Sequence, residues 1–303
     1  MQLFDYRIRP NTNIFLFGDI HEGVSATYHK GWDHLIDMMH SEYDGCKYNI
    51  GVDHGDCIEA IMVDDRRYMD IGIKHDKILH QIDTAIKQRD KIRKQLVCLL
   101  TGNHEIKLWR FGDIPKFIAQ SLGVRHGDWT SIITYTDTKG KPVFKHYACH
   151  SAKRVISSRA GSQRQKRANE EIQLQRALSC QAGDCLLMSQ GHVHQLIVVP
   201  PDDSLFLYSE GGHLKSGYTA MTVQQTGIYL HENLRWYAAC GSFLRSRITD
   251  GVTYAEMLGY PPNQLGFLIA RVRDYWLVGI DEVRIGGADD RIRTTEEYTQ
   301  KVA

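Results

Sequence analysis

A layered α/β fold is predicted by three features of this 303-residue sequence. Short apolar runs close on glycine or polar residues, segments with helical spacing lie between them, and strand-like runs alone follow Leu186. The length is enough to bury a sizeable core, as one large domain or two small ones.

The first five strands are expected at residues 14–17, 48–52, 95–100, 143–149 and 185–189, each short, apolar and bounded by turn chemistry. Two helices are expected between them. Residues 29–40 carry Trp32, Leu35, Ile36 and Met39 at helical spacing, and residues 65–94 carry Tyr68, Ile71, Ile78, Ile82 and Ile86. Residues 170–178 read as an amphipathic helix. Further strands are expected at 196–199, 205–208, 227–230, 236–239, 266–272 and 275–280. The charged segment 281–303 reads as a surface tail. The expected organisation is one domain over 1–240 and a β-rich C-terminal extension over 241–303, packed on it.

Composition narrows the function classes. Hydrophobic content of 42% and charged content of 24% are ordinary for a globular protein. No apolar run approaches the roughly 20 residues of a membrane span. No secretory signal is visible, so a cytoplasmic protein without membrane partners is expected. Seven scattered cysteines, never spaced as CxxC, argue against a disulfide framework or a Cys-based zinc site. The net charge of +1 exerts no global pull toward nucleic acid.

Each of the first five strands runs into a candidate ligand: Gly18-Asp19-Ile20-His21, Gly55-Asp56, Gly102-Asn103-His104-Glu105, His150, and Gly191-His192-Val193-His194. Open α/β sheets bind ligands beyond the carboxyl ends of their strands, so these groups are expected in one crevice. Residues two apart in extended chain point the same way, which lets Asp19 act with His21 and His192 with His194. The preceding glycines permit tight turns. Carboxylate, amide and imidazole donors together suit borderline divalent metals better than calcium. Taken singly, each motif has a plainer reading: Gly-Asp after a strand is ordinarily a turn, and paired histidines often cap one. For the fourth motif His126 and His146 compete with His150, which closes a long strand.

The ordered series GDIH, GD, GNHE, H and GHVH, over about residues 14–194, resembles the calcineurin-like metallophosphoesterases. The resemblance implies a four-layer αββα sandwich with two mixed sheets. It also implies two divalent ions, manganese first, with zinc, iron, nickel, cobalt or magnesium as alternatives. By the same resemblance Asp19, His21, Asp56 and His194 would hold one ion, and Asp56, Asn103, His150 and His192 the other. His104 would serve as the catalytic acid or transition-state stabiliser. The implied reaction is phosphoester hydrolysis by a metal-bridging hydroxide. The chain lacks the Val-Asp-Arg-Gly continuation of the protein phosphatases after Asp56.

A phosphodiesterase or nuclease acting on DNA, RNA or nucleotides is the expected activity. A phosphomonoesterase is the alternative and a non-catalytic scaffold the remote one. Lys153, Arg154 and Arg159, followed by Arg164, Lys166 and Arg167, are candidate contacts to an anionic substrate, although basic runs are commonly solvated helix faces. Cys240-Gly241-Ser242-Phe243-Leu244, Tyr254-Ala255-Glu256 and Pro261-Pro262 are similar to the tail of phage and prophage calcineurin-like esterases, implying a host-cytoplasm setting. Trp109, Trp129, Tyr218 and Trp236 are expected mostly in the core, with base stacking as the alternative. Asp53, His54 and Glu59 are expected as solvated loop groups, with orientation of the imidazoles as the alternative.

Overall fold

The computed structural model describes residues 1–62, 65, 77–151, 155, 161–202, 204–219, 225–286 and 291–294. Their strands are β1 (Gln2–Arg7), β2 (Thr12–Phe17), β3 (Asn49–Asp53), β4 (Leu96–Leu99), β5 (Thr130–Thr136), β6 (Pro142–Cys149), β7 (Leu187–Gln190), β8 (Leu196–Val199), β9 (Leu205–Glu210), β10 (His213–Tyr218), β11 (Trp236–Cys240), β12 (Gly266–Arg273), β13 (Trp276–Arg284) and β14 (Arg291–Arg293). The helices are α1 (His29–His40), α2 (Ile78–Asp90), α3 (Ile114–Leu122), α4 (Gln163–Leu178) and the single turn α5 (Tyr254–Met257).

Two six-stranded mixed sheets form, in the orders β1-β5-β6-β7-β11-β8 and β14-β13-β12-β2-β3-β4. Period-2 alternation explains how they pack. In β2, Ile14 and Leu16 enter the core shared by the two sheets, whereas Phe15 and Phe17 face the other way, onto Trp32, Leu35, Ile36 and Met39 of α1. In β11, Trp236 and Ala238 face inward, while Tyr237 and Ala239 meet Leu174 and Leu178 of α4. Helices therefore cover the outer faces of a two-sheet sandwich. The apolar positions of α1 that bury are those its spacing predicts.

The C-terminal region is woven into this sandwich: β12 pairs antiparallel with β2, and β13 with β12. The charged segment expected at the surface begins later than 281. Asp281 and Glu282 are buried within β13, where Asp281 Oδ2 lies 2.9 Å from Arg271 Nε and accepts a hydrogen bond from the Tyr43 hydroxyl. Charge alone suggested solvent, and cross-strand pairing made burial tolerable.

Residues 227–230 form no strand; Ile228 is fully exposed and only Leu230 is buried, so the run lacks an alternating buried face. Of the long second helix expected, the described part is Ile78–Asp90, and Tyr68 and Ile71 lie outside the described residues. Lys153, Arg154 and Arg159 lie outside them too. β9 and β10 form a separate hairpin around Gly211-Gly212, both at positive φ, exposing Leu205, Leu207 and Leu214. Among the described residues no helix is long and apolar enough to cross a membrane.

Candidate metal centre

The parallel strands β2, β3 and β4 of one sheet lead into loops carrying Asp19, Asp56 and Asn103, and the parallel strands β6 and β7 of the other lead into His150 and His192. The centre therefore sits on the seam where the carboxyl ends of the two sheets meet. Backbone hydrogen bonds knit the loops there. Asp19 N donates to Gly55 O at 2.9 Å, and His21 N to Asp56 O at 3.0 Å.

Conformational strain is concentrated at these positions. Asp19, His21, Asp56, His192 and His194 all have left-handed backbones, with φ between 50° and 73°. Residues with a Cβ seldom adopt that region, and such outliers gather where surrounding structure holds side chains in place for function. Gly102 answers another demand. A Cβ there would lie 2.1 Å from Asp56 N and Oδ1, so only glycine lets the third loop close on the second.

The donors fall into compact groups. Asp19, His21 and His194 form one and Asp56, His150 and His192 another, with ligand atoms inside each group within 4.8 Å of one another. In the first, His194 Nε2 lies 3.1 Å from Asp19 Oδ1 and 3.2 Å from His21 Nε2. In the second, His150 Nε2 lies 3.0 Å from Asn103 Oδ1 and 3.4 Å from Asp56 Oδ2. Donor atoms about 2.1 Å from a cation stand about 3 Å apart, which the closest pairs in both groups match, while His21 Nε2 and Asp19 Oδ1 are wider at 3.8 Å.

Orphaned atoms give an independent test of fit. Asp56 Oδ2 is buried with no hydrogen-bond partner among the described residues, yet three imidazole nitrogens face it: His150 Nε2 at 3.4 Å, His21 Nε2 at 3.7 Å and His104 Nε2 at 4.0 Å. His192 Nδ1 is likewise buried without a partner among them. Buried polar atoms are normally paired, and a carboxylate oxygen ringed by imidazoles at 3.4 to 4.0 Å suits a shared cation. The proton affinities agree. Burial lowers that of His21, but the carboxylates of Glu59, Asp19 and Asp56 outweigh it and push the group up to about 10. His150 is pushed up to about 9, burial again being outweighed, here by Asp56. Burial prevails instead at His104 and His192, both pushed down to about 4, so the negative charge of the cluster is felt most at His21 and His150.

Contacts behind the donors orient them. His150 Nδ1 lies 2.6 Å from His54 O, which leaves Nε2 toward Asp56. Glu59 Oε2 lies 2.7 Å from His21 Nδ1, and Glu59 Oε1 lies 3.4 Å from His104 Nδ1. Asp53 Oδ2 accepts from Arg89 Nε at 2.7 Å. Asp53, His54 and Glu59 are all fully buried, which overturns their expected place as solvated loop groups. Packing of the seam leaves these loops no solvent, and each polar group has a defined contact.

His126 and His146 do not join the cluster. His126 Nε2 meets Thr101 Oγ1 at 2.9 Å, and His146, inside the sandwich, lies 2.6 Å from Ser189 Oγ. The sequence reading missed several positioning groups. Glu105 accepts from Cys57 N and, at 3.3 Å, from Ile58 N, tying the second loop to the third. Ser242 Oγ donates to Asp19 O at 3.0 Å, and the Asn263 amide sits 3.2 Å from His194 Nδ1. Glu105 had a signal in its place beside His104. Asn263, 69 residues after His194, had none.

Of the aromatics expected in the core, only Trp236 is buried; Trp109, Trp129 and Tyr218 are 73%, 36% and 52% exposed. Arg167, read as a candidate anion contact, is engaged by Glu171 at 2.8 Å and Glu282 at 2.7 Å. Comparison with known protein families finds none that matches the chain, and no curated protein matches it.

Proposed function

We propose that the protein is a dinuclear metal-dependent phosphoester hydrolase of the calcineurin-like kind, acting on phosphodiesters. The observation that carries this reading is Asp56 Oδ2, buried, without a hydrogen-bond partner among the described residues and placed between the two donor groups, 3.7 Å from His21 and 3.4 Å from His150. Asp19, His21, Asp56 and His194 would hold one divalent ion, and Asp56, Asn103, His150 and His192 the second. Two such ions, when bound, supply Lewis acidity to phosphate oxygens and can bring the pKa of a water down to about 7.

The chain's own residues then have definite tasks. Asp56 would serve both positions, and His104 N donates to Asp56 Oδ1 at 2.9 Å and keeps Oδ2 facing inward. His104 Nδ1 lies 2.8 Å from Glu59 O, so its Nε2 is directed at the centre, 4.0 Å from Asp56 Oδ2. Burial pushes the His104 imidazole down to about 4. Nε2 therefore takes up a proton only when negative charge from a bound phosphate lies beside it, and from there it can stabilise the departing oxygen or protonate it. Glu59 spans His21 and His104, coupling the orientation of a metal donor to that of the acid.

The test is hydrolysis by metal-stripped protein reloaded with manganese, zinc, iron, nickel, cobalt or magnesium, using bis-p-nitrophenyl phosphate beside p-nitrophenyl phosphate. Metal-dependent turnover with diester preference is expected. Monoester preference would transfer the reading to a phosphatase. No turnover together with no metal uptake would overturn it.

A further inference from the structure

We propose that Trp129 is a stacking platform for a flat ring carried by the substrate, so that the esters turned over are those bearing a nucleobase. This rests on the phosphoesterase reading and narrows its substrate class.

The placement follows from strand pairing. β5 runs antiparallel to β6 with Thr130 opposite Cys149, which sets the residue before β5 beside the residue after β6, namely Trp129 beside His150. His150 N donates to Trp129 O at 3.0 Å. On its other side the segment is tied to β4 and the third loop. Leu99 N donates to Arg125 O at 2.9 Å, Gly127 N to Leu99 O at 2.9 Å, and Thr101 N to Asp128 O at 2.8 Å. Trp129 is thus clamped between the chain segments that deliver Asn103 and His150, the two donors that meet at 3.0 Å.

Asp128 is held at φ 53°, a conformation that residues with a Cβ adopt at a cost. Its carboxylate accepts from Gln2 Nε2 at 2.6 Å. The indole lies with its centroid 6.3 Å from that of His150, tilted by 55°, and keeps 36% exposure. A large apolar ring on a tethered backbone, part-exposed beside a candidate metal donor, is placed to meet a ligand bound there. Every base has a π-face that such a ring can accept, and stacking of this kind tolerates differences of sequence.

The experiment compares two diesters sharing one leaving group, thymidine 5′-(p-nitrophenyl phosphate) and methyl p-nitrophenyl phosphate, on protein supplied with manganese. The wild type should prefer the thymidine ester. Trp129→Leu, which keeps apolar bulk but loses the π-face, should reduce that preference by about 5- to 100-fold, mainly through KM. Trp129→Phe should retain most of it. Calorimetric binding of thymidine 5′-monophosphate against ribose 5-phosphate gives a second readout independent of turnover, and the nucleotide should bind more tightly by a margin that Trp129→Leu removes. A preference unchanged in Trp129→Leu, or no preference in the wild type by either readout, overturns the platform. Absence of turnover with every metal would count against the phosphoesterase reading, while the binding pair would still decide the role of Trp129.

Discussion

Asp56 faces three imidazoles with one oxygen and accepts from His104 N with the other, so a single side chain organises both donor groups. Asp56→Asn is expected to reduce metal content at both positions, measured by elemental analysis after gel filtration; retention of two ions per chain would remove the shared role. Glu59 acts one contact further out. Glu59→Gln keeps the shape but weakens the hold on His21 and His104, and should cost about 10- to 100-fold in metal affinity or turnover. His104→Ala should leave metal uptake intact and slow turnover by about 10²- to 10⁴-fold, most on esters with poor leaving groups. At this scale the clustered candidate donors were legible because Asp, Asn and His stand beside glycine at the ends of apolar runs. The orienting groups were not, because Glu59 reads as a loop carboxylate until packing buries it.

Elements show where the pattern was readable and where it faded. β2 and β3 are buried at every position and announce themselves as apolar runs. β1 alternates between exposed and half-buried positions at a sheet edge, and β5 between half-buried and buried ones, so polar residues dilute both patterns. α3 carried readable signals that its brevity obscured: Asp113 accepts from Lys116 N at 3.1 Å, Pro115 stands in the first turn, and Gly123 closes the helix in a left-handed conformation. In β13, Asp281 answers the buried Arg271. Asp281→Ala should cost up to about 3 kcal/mol by leaving the buried Arg271 to the part-exposed Asp44 at 3.3 Å, read as a lower midpoint in urea denaturation. Gly102→Ala should be worse for the centre than for the fold. Its Cβ would meet Asp56 N and Oδ1 at 2.1 Å, so metal uptake should fall while the circular dichroism spectrum stays near wild type.

Across the whole molecule, candidate donors from both sheets meet at the centre, Asp19, Asp56 and Asn103 on one side and His150, His192 and His194 on the other. A cation bound there stabilises the packed sandwich over the unfolded chain by about 2.7 kcal/mol at a concentration 100 times its Kd. Adding manganese to chelator-treated protein should therefore raise Tm, and Asp56→Asn should diminish the rise. The sequence by itself determined the candidate donor types, their order along the chain and their position after apolar runs, because those depend on local composition and turn chemistry. The tertiary structure alone decided which donors converge. His146 and His150 share the same alternation, but His146 lies within β6 and is held between the sheets, whereas His150 follows its end and turns to Asp56. Which face a side chain takes depends on the register of strands far away in sequence. For the same reason Asn263 comes to lie beside His194, and Trp129 beside His150, with no local signal to announce either.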